Sequence, residues 1–271
     1  TPQIVPAIFS ERARFFVILQ TQIKYPKPFR MLTKTQAVVL RSLKYGDKKL
    51  IVDMFTREYG MLTFSCSVSS RGKGKNKSNY FQSLNIVEVE FDMRPKADIH
   101  IIRDIRLDYP PRTIPYNPYK LSIAMFLAEF LRYALVNEQQ HVALYTYIEH
   151  SIEWLDNAER EFANFHLVFM MKLSHFIGFH PNIEAFNPGS WFDMQSGEFS
   201  TAIPSHNAIV TPSDASIIPV IDRLSYATMH LLRLTRTQRN QCTDSMLNYY
   251  RLHLPTVPEL KSFAGMQELF V

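Results

Sequence analysis

The densest chemical signal in the chain is the run Arg71-Gly72-Lys73-Gly74-Lys75-Asn76-Lys77-Ser78, in which four cations alternate with small residues. Glycine lets a loop flex and brings backbone close to a ligand. Alternating Lys and Arg suit contact with successive phosphates without reading bases. Lys44, Lys48, Lys49 and Arg57 add positive charge nearby in the chain, and Tyr80 and Phe81 offer rings on which bases can stack. The run is not a nucleotide-binding loop of the GxxxxGK[ST] kind, because that spacing is absent. The competing reading is a solvated basic loop that binds nothing. Nucleic-acid contact is expected at Arg71, Lys73, Lys75 and Lys77, with Lys48 and Arg57 behind them.

No residue pattern points to catalysis. His175 and His180 lie five apart, a spacing that does not share a helix face. His141, His150, His166 and His206 are scattered and read as structural or surface residues. HExxH and GxSxG are absent. Glu88 and Glu90 read as the wet side of a strand, and Asp92, Asp98 and Asp104 form no recognisable metal set. The 2 cysteines, Cys66 and Cys242, are too few and too far apart for a disulfide framework or a thiolate zinc site. They fit a reducing compartment. No catalytic residue, no metal and no cofactor are expected, and the protein is expected not to be an enzyme.

The elements that must carry the basic loop can be read from pattern. A chain of 271 residues suggests about two domains, and 46% hydrophobic content with a net charge of +5 excludes wholesale disorder. No run approaches the ~18–20 apolar residues of a membrane span. Phe15–Leu19 is shorter than the ~7–15-residue core of a signal peptide. A soluble, cytoplasmic, nucleoid-associated protein with no membrane contact is expected. Charge divides unevenly: residues 1–110 carry 19 Lys+Arg against 10 Asp+Glu, and residues 111–271 carry 11 against 15. That asymmetry predicts a polyanion partner for the first part. Residues 1–30, interrupted by Pro2, Pro6, Pro26 and Pro28, read as an extension ahead of a natural start at Met31.

Residues 31–110 carry a strand pattern. Thr35–Ser42, Leu50–Thr56 and Met61–Ser69 are β-rich runs, and Arg57-Glu58-Tyr59-Gly60 is a turn signal. Val87, Val89 and Phe91 alternate with Glu88 and Glu90, and Asp98–Leu107 is a fifth run with Ile99, Ile101 and Ile105 among its apolar positions. Five short strands without a long helix predict a small closed barrel. Asp108–Pro118 is too rich in proline for helix or strand and marks a boundary. Residues 111–271 then read as helices over Pro118–Val136, His141–Leu155, Ala158–Gly178, Thr211 to about Thr237, Thr243–His253 and Pro258–Phe270. An insertion over 179–207 interrupts them.

The order AVVLRSLKYGDKKLIVDMFTREYGMLTF, RGKGKNKS, FIGFHPNIE and YYRLHLPTVPELKS resembles the RecO family of bacterial recombination mediators, over about Met31–Phe270. Phe55-Thr56-Arg57-Glu58-Tyr59-Gly60, the basic loop ending Lys77-Ser78 and Gly178-Phe179-His180-Pro181 carry the resemblance together. It implies an α+β protein of two domains, with an N-terminal five-stranded β-barrel of the OB-fold type at 31–110 and an all-α helical domain at 111–271. It also implies binding of single- and double-stranded DNA, strand annealing, contacts with RecR and the acidic tail of the single-strand-binding protein, and help in loading RecA onto coated strands. Arg132, Arg233, Arg236 and Arg239 are cations available for an acidic tail beside the aromatic C-terminal helices.

Many relatives carry a four-cysteine zinc motif where this chain has the cysteine-free segment Phe179–Ser205. The lobe is expected to be held by Phe186, Trp191, Phe192 and Phe199 instead. Two other classes fit the same residues: a protein-interaction scaffold, or an RNA-binding OB module.

Overall fold

The computed structural model describes residues 31–46, 48–67, 77–94 and 97–269. Five strands come first: β1 (Met31–Tyr45), β2 (Lys49–Thr56), β3 (Gly60–Ser67), β4 (Ile86–Met93) and β5 (His100–Tyr109). They close in the order β1-β2-β3-β5-β4. All pairings are antiparallel except β3 with β5, where Phe64 lies opposite His100. β1 reaches both β2 and β4 by being long and by a register shift between Val39 and Arg41, a bulge that bends the strand.

The interior holds Ala37, Val39, Val52, Met54, Phe64, Val87, Val89 and Phe91. Ala37–Leu40 reads as an unbroken apolar run because both of its faces are covered. Ala37 and Val39 point into the barrel, while Val38 and Leu40 join the helical core. In β5 the buried side chains are His100, Ile102 and Ile105, while Ile99, just ahead of the strand, is exposed. A register shift around Arg103 changes the phase of alternation there.

Seven helices follow among the described residues: α1 (Pro118–Ala134), α2 (Val142–Asn157), α3 (Phe165–Ile177), α4 (Pro212–Ala215), α5 (Ile218–Arg223), α6 (Arg236–His253) and α7 (Lys261–Leu269). α3 is buried nearly throughout, as its composition predicts, and ends on Gly178 in the left-handed region. It starts at Phe165 rather than Ala158, because Glu161 turns the chain with a positive φ. The expected single helix from Thr211 to Thr237 does not exist. Pro219 has no N–H to continue a ladder and instead opens α5. After α5, the Ser225 amide bonds the Thr228 hydroxyl, a local bond that competes with helix. The Thr235–Gln238 capping box then starts α6 seven residues before the expected Thr243.

The insertion forms a three-stranded sheet of β6 (Trp191–Asp193), β7 (Glu198–Ser200) and β8 (Ile209–Val210). Phe192 and Phe199 pack with Met194, Val210, Ala215 and Tyr249, and Phe186 leans on them. Trp191 does not belong to this cluster, because strand alternation turns it away from Phe192's face.

The barrel and the helices share one core. Val38, Leu40, Phe55, Leu84 and Ile86 of the barrel pack with Ile123, Phe126, Leu127, Phe130 and Tyr145. Two polar joints frame it. Asp53 accepts from Arg132 Nε at 2.7 Å and from Thr63 Oγ1 at 2.9 Å. Asp156 accepts the backbone N–H of Arg112, Thr113 and Ile114 at 2.7–2.8 Å and the Tyr109 hydroxyl at 3.0 Å. This ties the proline-rich connection to the end of α2. Burial alone would raise the Asp156 pKa, but the donated hydrogen bonds from Arg112, Ile114 and Thr113 hold it below the ordinary value.

Candidate nucleic-acid interface

The basic loop leaves the barrel at Ser67 and returns at the short 3-10 turn Lys77–Phe81. Arg71, Lys73 and Lys75 lie outside the described residues, as does the side chain of Lys77. The roots of the loop are well anchored. Phe81 is buried in the barrel core, and Asn85 Nδ2 donates to the carbonyls of Asn79 and Tyr80 at 3.0 and 3.2 Å. Phe81 therefore offers no stacking face, and Tyr80 leans on the same core. An aromatic just past a loop reads the same in sequence whether it faces a ligand or plugs a barrel.

Strand register decides what else stands at this end. Lys49 lies opposite Tyr45 on one side and opposite Ser67 on the other. The β1–β2 hairpin tip therefore sits beside the point where the basic loop departs. Lys44, Lys48 and Lys49 are exposed there, and Tyr45 is 69% exposed. None of these three lysines has an acidic partner among the described residues. Elsewhere on the barrel several cations are matched: Lys34 and Arg106 both meet Glu88, at 2.7 and 2.6 Å, and Arg103 meets Asp92. Tyr45 was not legible as a site residue, although Tyr45-Gly46-Asp47 between two apolar runs is a hairpin signal.

Arg57 is placed differently. It follows the far end of β2, eight residues at ~3.3 Å each, or about 25 Å, from Lys49. Its guanidinium donates to Gln36 Oε1 at 2.6 Å and lies 6.0 Å from the ring centroid of Tyr145 on α2. Lys48 is thus grouped with the loop, and Arg57 is at the joint with the helices. Beside it, Gly60 adopts φ +69, and a Cβ there would lie 2.2 Å from the Glu138 carbonyl oxygen.

The four arginines considered for an acidic tail differ in availability. Arg132 is bound to Asp53, Arg236 donates to the Gln267 carbonyl at 2.7 Å, Arg239 donates to Asn164 Oδ1 at 3.0 Å, and Arg233 is exposed. In the helical part an apolar cavity of about 290 Å³ opens between the insertion, α3 and α6, with Met170, Phe192, Ile217, Met246 and Tyr249 in its wall.

His175 and His180, separated by the Gly178 turn, meet with ring centroids 3.4 Å apart. The four-thiolate zinc site that the family resemblance raised does not fit the residues of this chain. The lobe contains no cysteine, Cys66 is buried in the barrel, and Cys242 lies on α6. Among the described residues, no helix is long and apolar enough to cross a membrane.

A small barrel whose hairpin end exposes Lys44, Lys48 and Lys49, fused through a common core to a helical bundle, defines a two-part α+β protein. The profile described as "Recombination protein O N terminal" matches residues 31–109, and that described as "Recombination protein O C terminal" matches residues 115–262. The chain belongs to the RecO family. It is 47% identical over 240 residues to the DNA repair protein RecO of Phocaeicola vulgatus. Identity is 42% over 241 residues to that of Bacteroides fragilis (strain YCH46) and 32% over 246 residues to that of Porphyromonas gingivalis (strain W83). Each alignment covers 89% of this chain and 100% of the relative. Its place is in DNA repair and recombination.

Proposed function

We propose that the chain is a non-enzymatic DNA-binding mediator that holds and anneals strands at the hairpin end of its barrel. The observation that carries this reading is the register placing Tyr45, Lys48 and Lys49 beside the root of the Arg71–Lys77 loop. The strand order, with its single parallel β3–β5 pairing, supports assigning an OB-fold to 31–110, followed by a helical domain at 111–271. Cations there would track phosphates and release counterions, while Tyr45 stacks on a base. Two polyanionic strands held on one cationic end repel each other less, which favours pairing. RecR, the acidic tail of the single-strand-binding protein and the loading of RecA belong to the same reading. A pull-down with a single-strand-binding protein lacking its last residues tests the tail contact.

The binding test is a salt titration with a labelled single strand. Each phosphate contact removed flattens the log–log slope by about 0.7. Changing Arg71, Lys73, Lys75 and Lys77 together to Ala should flatten it by up to about 3, and Lys48→Ala with Lys49→Ala by up to about 1.4 more. An unchanged slope moves the site elsewhere. Equal competition by a matched RNA strand would turn the reading toward an RNA-binding module.

A further inference from the structure

We propose that His175, His180 and Asp222 form a binding site for a divalent transition-metal cation, zinc being the type ion. His175 stands on the last turn of α3, His180 just past the Gly178 turn, and Asp222 near the end of α5. Their donor atoms all lie within 4.8 Å of one another. His180 Nε2 is 3.4 Å and His175 Nε2 3.6 Å from Asp222 Oδ1. Those separations exceed the ~2.7–3.2 Å of an N–H···O hydrogen bond. The His180 separation equals the ~3.3–3.4 Å edge of a tetrahedron with metal–ligand bonds of ~2.0–2.1 Å, and the His175 separation is slightly longer, so the His175 ring would swing toward a bound ion.

The protons are arranged for this. Ser174 Oγ donates its hydrogen to the Met171 carbonyl at 2.7 Å, so toward His180 Nδ1, 3.0 Å away, it acts as the acceptor. Nδ1 then carries the proton and Nε2 presents a lone pair toward a carboxylate oxygen. Two acceptors face each other with no hydrogen between them. Asp222 Oδ1 is itself buried and has no hydrogen-bond partner among the described residues. A bound cation would satisfy both. The half-exposed His175 leaves the site open to solvent, as an N₂O ligand set with a free fourth position requires.

The lack of cysteine in the insertion predicts no zinc, and a spacing of five keeps the two histidines off one helix face. The helix stops between them, and the left-handed Gly178 turn folds His180 back onto His175. The resulting donors are imidazole and carboxylate, a different set from four thiolates. Lys172 opposes the ion: its Nζ lies 3.5 Å from Asp222 Oδ1 and donates to the Asp222 carbonyl.

The test is calorimetric titration of the full chain with zinc chloride, repeated with cobalt to read the visible absorption of a nitrogen-ligated ion. One equivalent per chain is expected. His175→Asn, His180→Asn and Asp222→Asn should each weaken it on the order of 100-fold or more, and Ser174→Ala by ~10–100-fold. Lys172→Met should tighten it about tenfold. His206→Asn, which disrupts a separate histidine–carboxylate contact of 3.2 Å with Asp193, should leave it unchanged. Circular dichroism of each metal-free variant checks folding, and Ser174→Ala keeps all three ligands should one of their replacements fail to fold. No zinc uptake by the wild type, or uptake retained by the folded triple variant, overturns the site.

Discussion

His166 on α3 is fully buried, and its response to pH can be worked through. Its Nε2 lies 2.9 Å from the Thr243 hydroxyl. That hydroxyl donates to the Arg239 carbonyl at 2.8 Å, so it accepts from the ring and leaves Nε2 protonated and the imidazole neutral. Burial, with the Arg239 charge adding to it, pushes the pKa down to about 3 from an ordinary 6.5. The unfolded chain therefore takes up a proton below pH 6.5 that the folded chain refuses. Stability from this group is complete above pH 6.5 and falls by about 1.4 kcal/mol per pH unit down to about 3. Between pH 7 and pH 5 the loss is about 2 kcal/mol. Urea unfolding at both pH values, in the wild type and in His166→Gln, isolates the contribution, because the amide can still donate to Thr243 but does not titrate. The difference between the two proteins in their pH dependence should be about 2 kcal/mol. Equal pH dependence in both would show that His166 is charged or solvated in the folded state, against the burial on which the reasoning rests.

Asp156→Ala leaves the backbone N–H groups of Arg112, Thr113 and Ile114, the last of them buried, and the Tyr109 hydroxyl without their acceptor, and about 3–5 kcal/mol of stability should be lost in urea unfolding. Because its pKa is lowered in the folded state, the Asp156 contribution is present above pH ~4 and declines as pH falls further, so the variant should also show a weaker acid limb. Gly60→Ala combines a left-handed φ with a Cβ 2.2 Å from the Glu138 oxygen; a loss of about 2–4 kcal/mol is expected in thermal unfolding, and an unchanged midpoint would mean that the barrel does not approach the α1–α2 connection so closely.

Much of the architecture is local and was therefore legible from residue order. Strand periodicity is a property of neighbouring residues, so Val87, Val89 and Phe91 declare β4 whatever they pack against. Proline density marks the connection after β5, and Gly178 the end of α3, because both act through their own backbone. The charge of the 71–77 loop is equally plain in the chain. The family, too, was recognisable from the order of short motifs.

What only the folded molecule decided are meetings between residues with no local relation. Closure of the sheet depends on Phe64 finding His100, and the grouping of Tyr45 and Lys49 with the loop root depends on a register across three strands. Burial separated Phe81 from a ligand-facing role, and the helix packing gave Arg57 to Gln36 and Tyr145. Asp222 reaches two histidines more than forty residues earlier only because α5 lies against α3. Periodicity and propensity act over a few residues, whereas such contacts are chosen by how the shared core fills space.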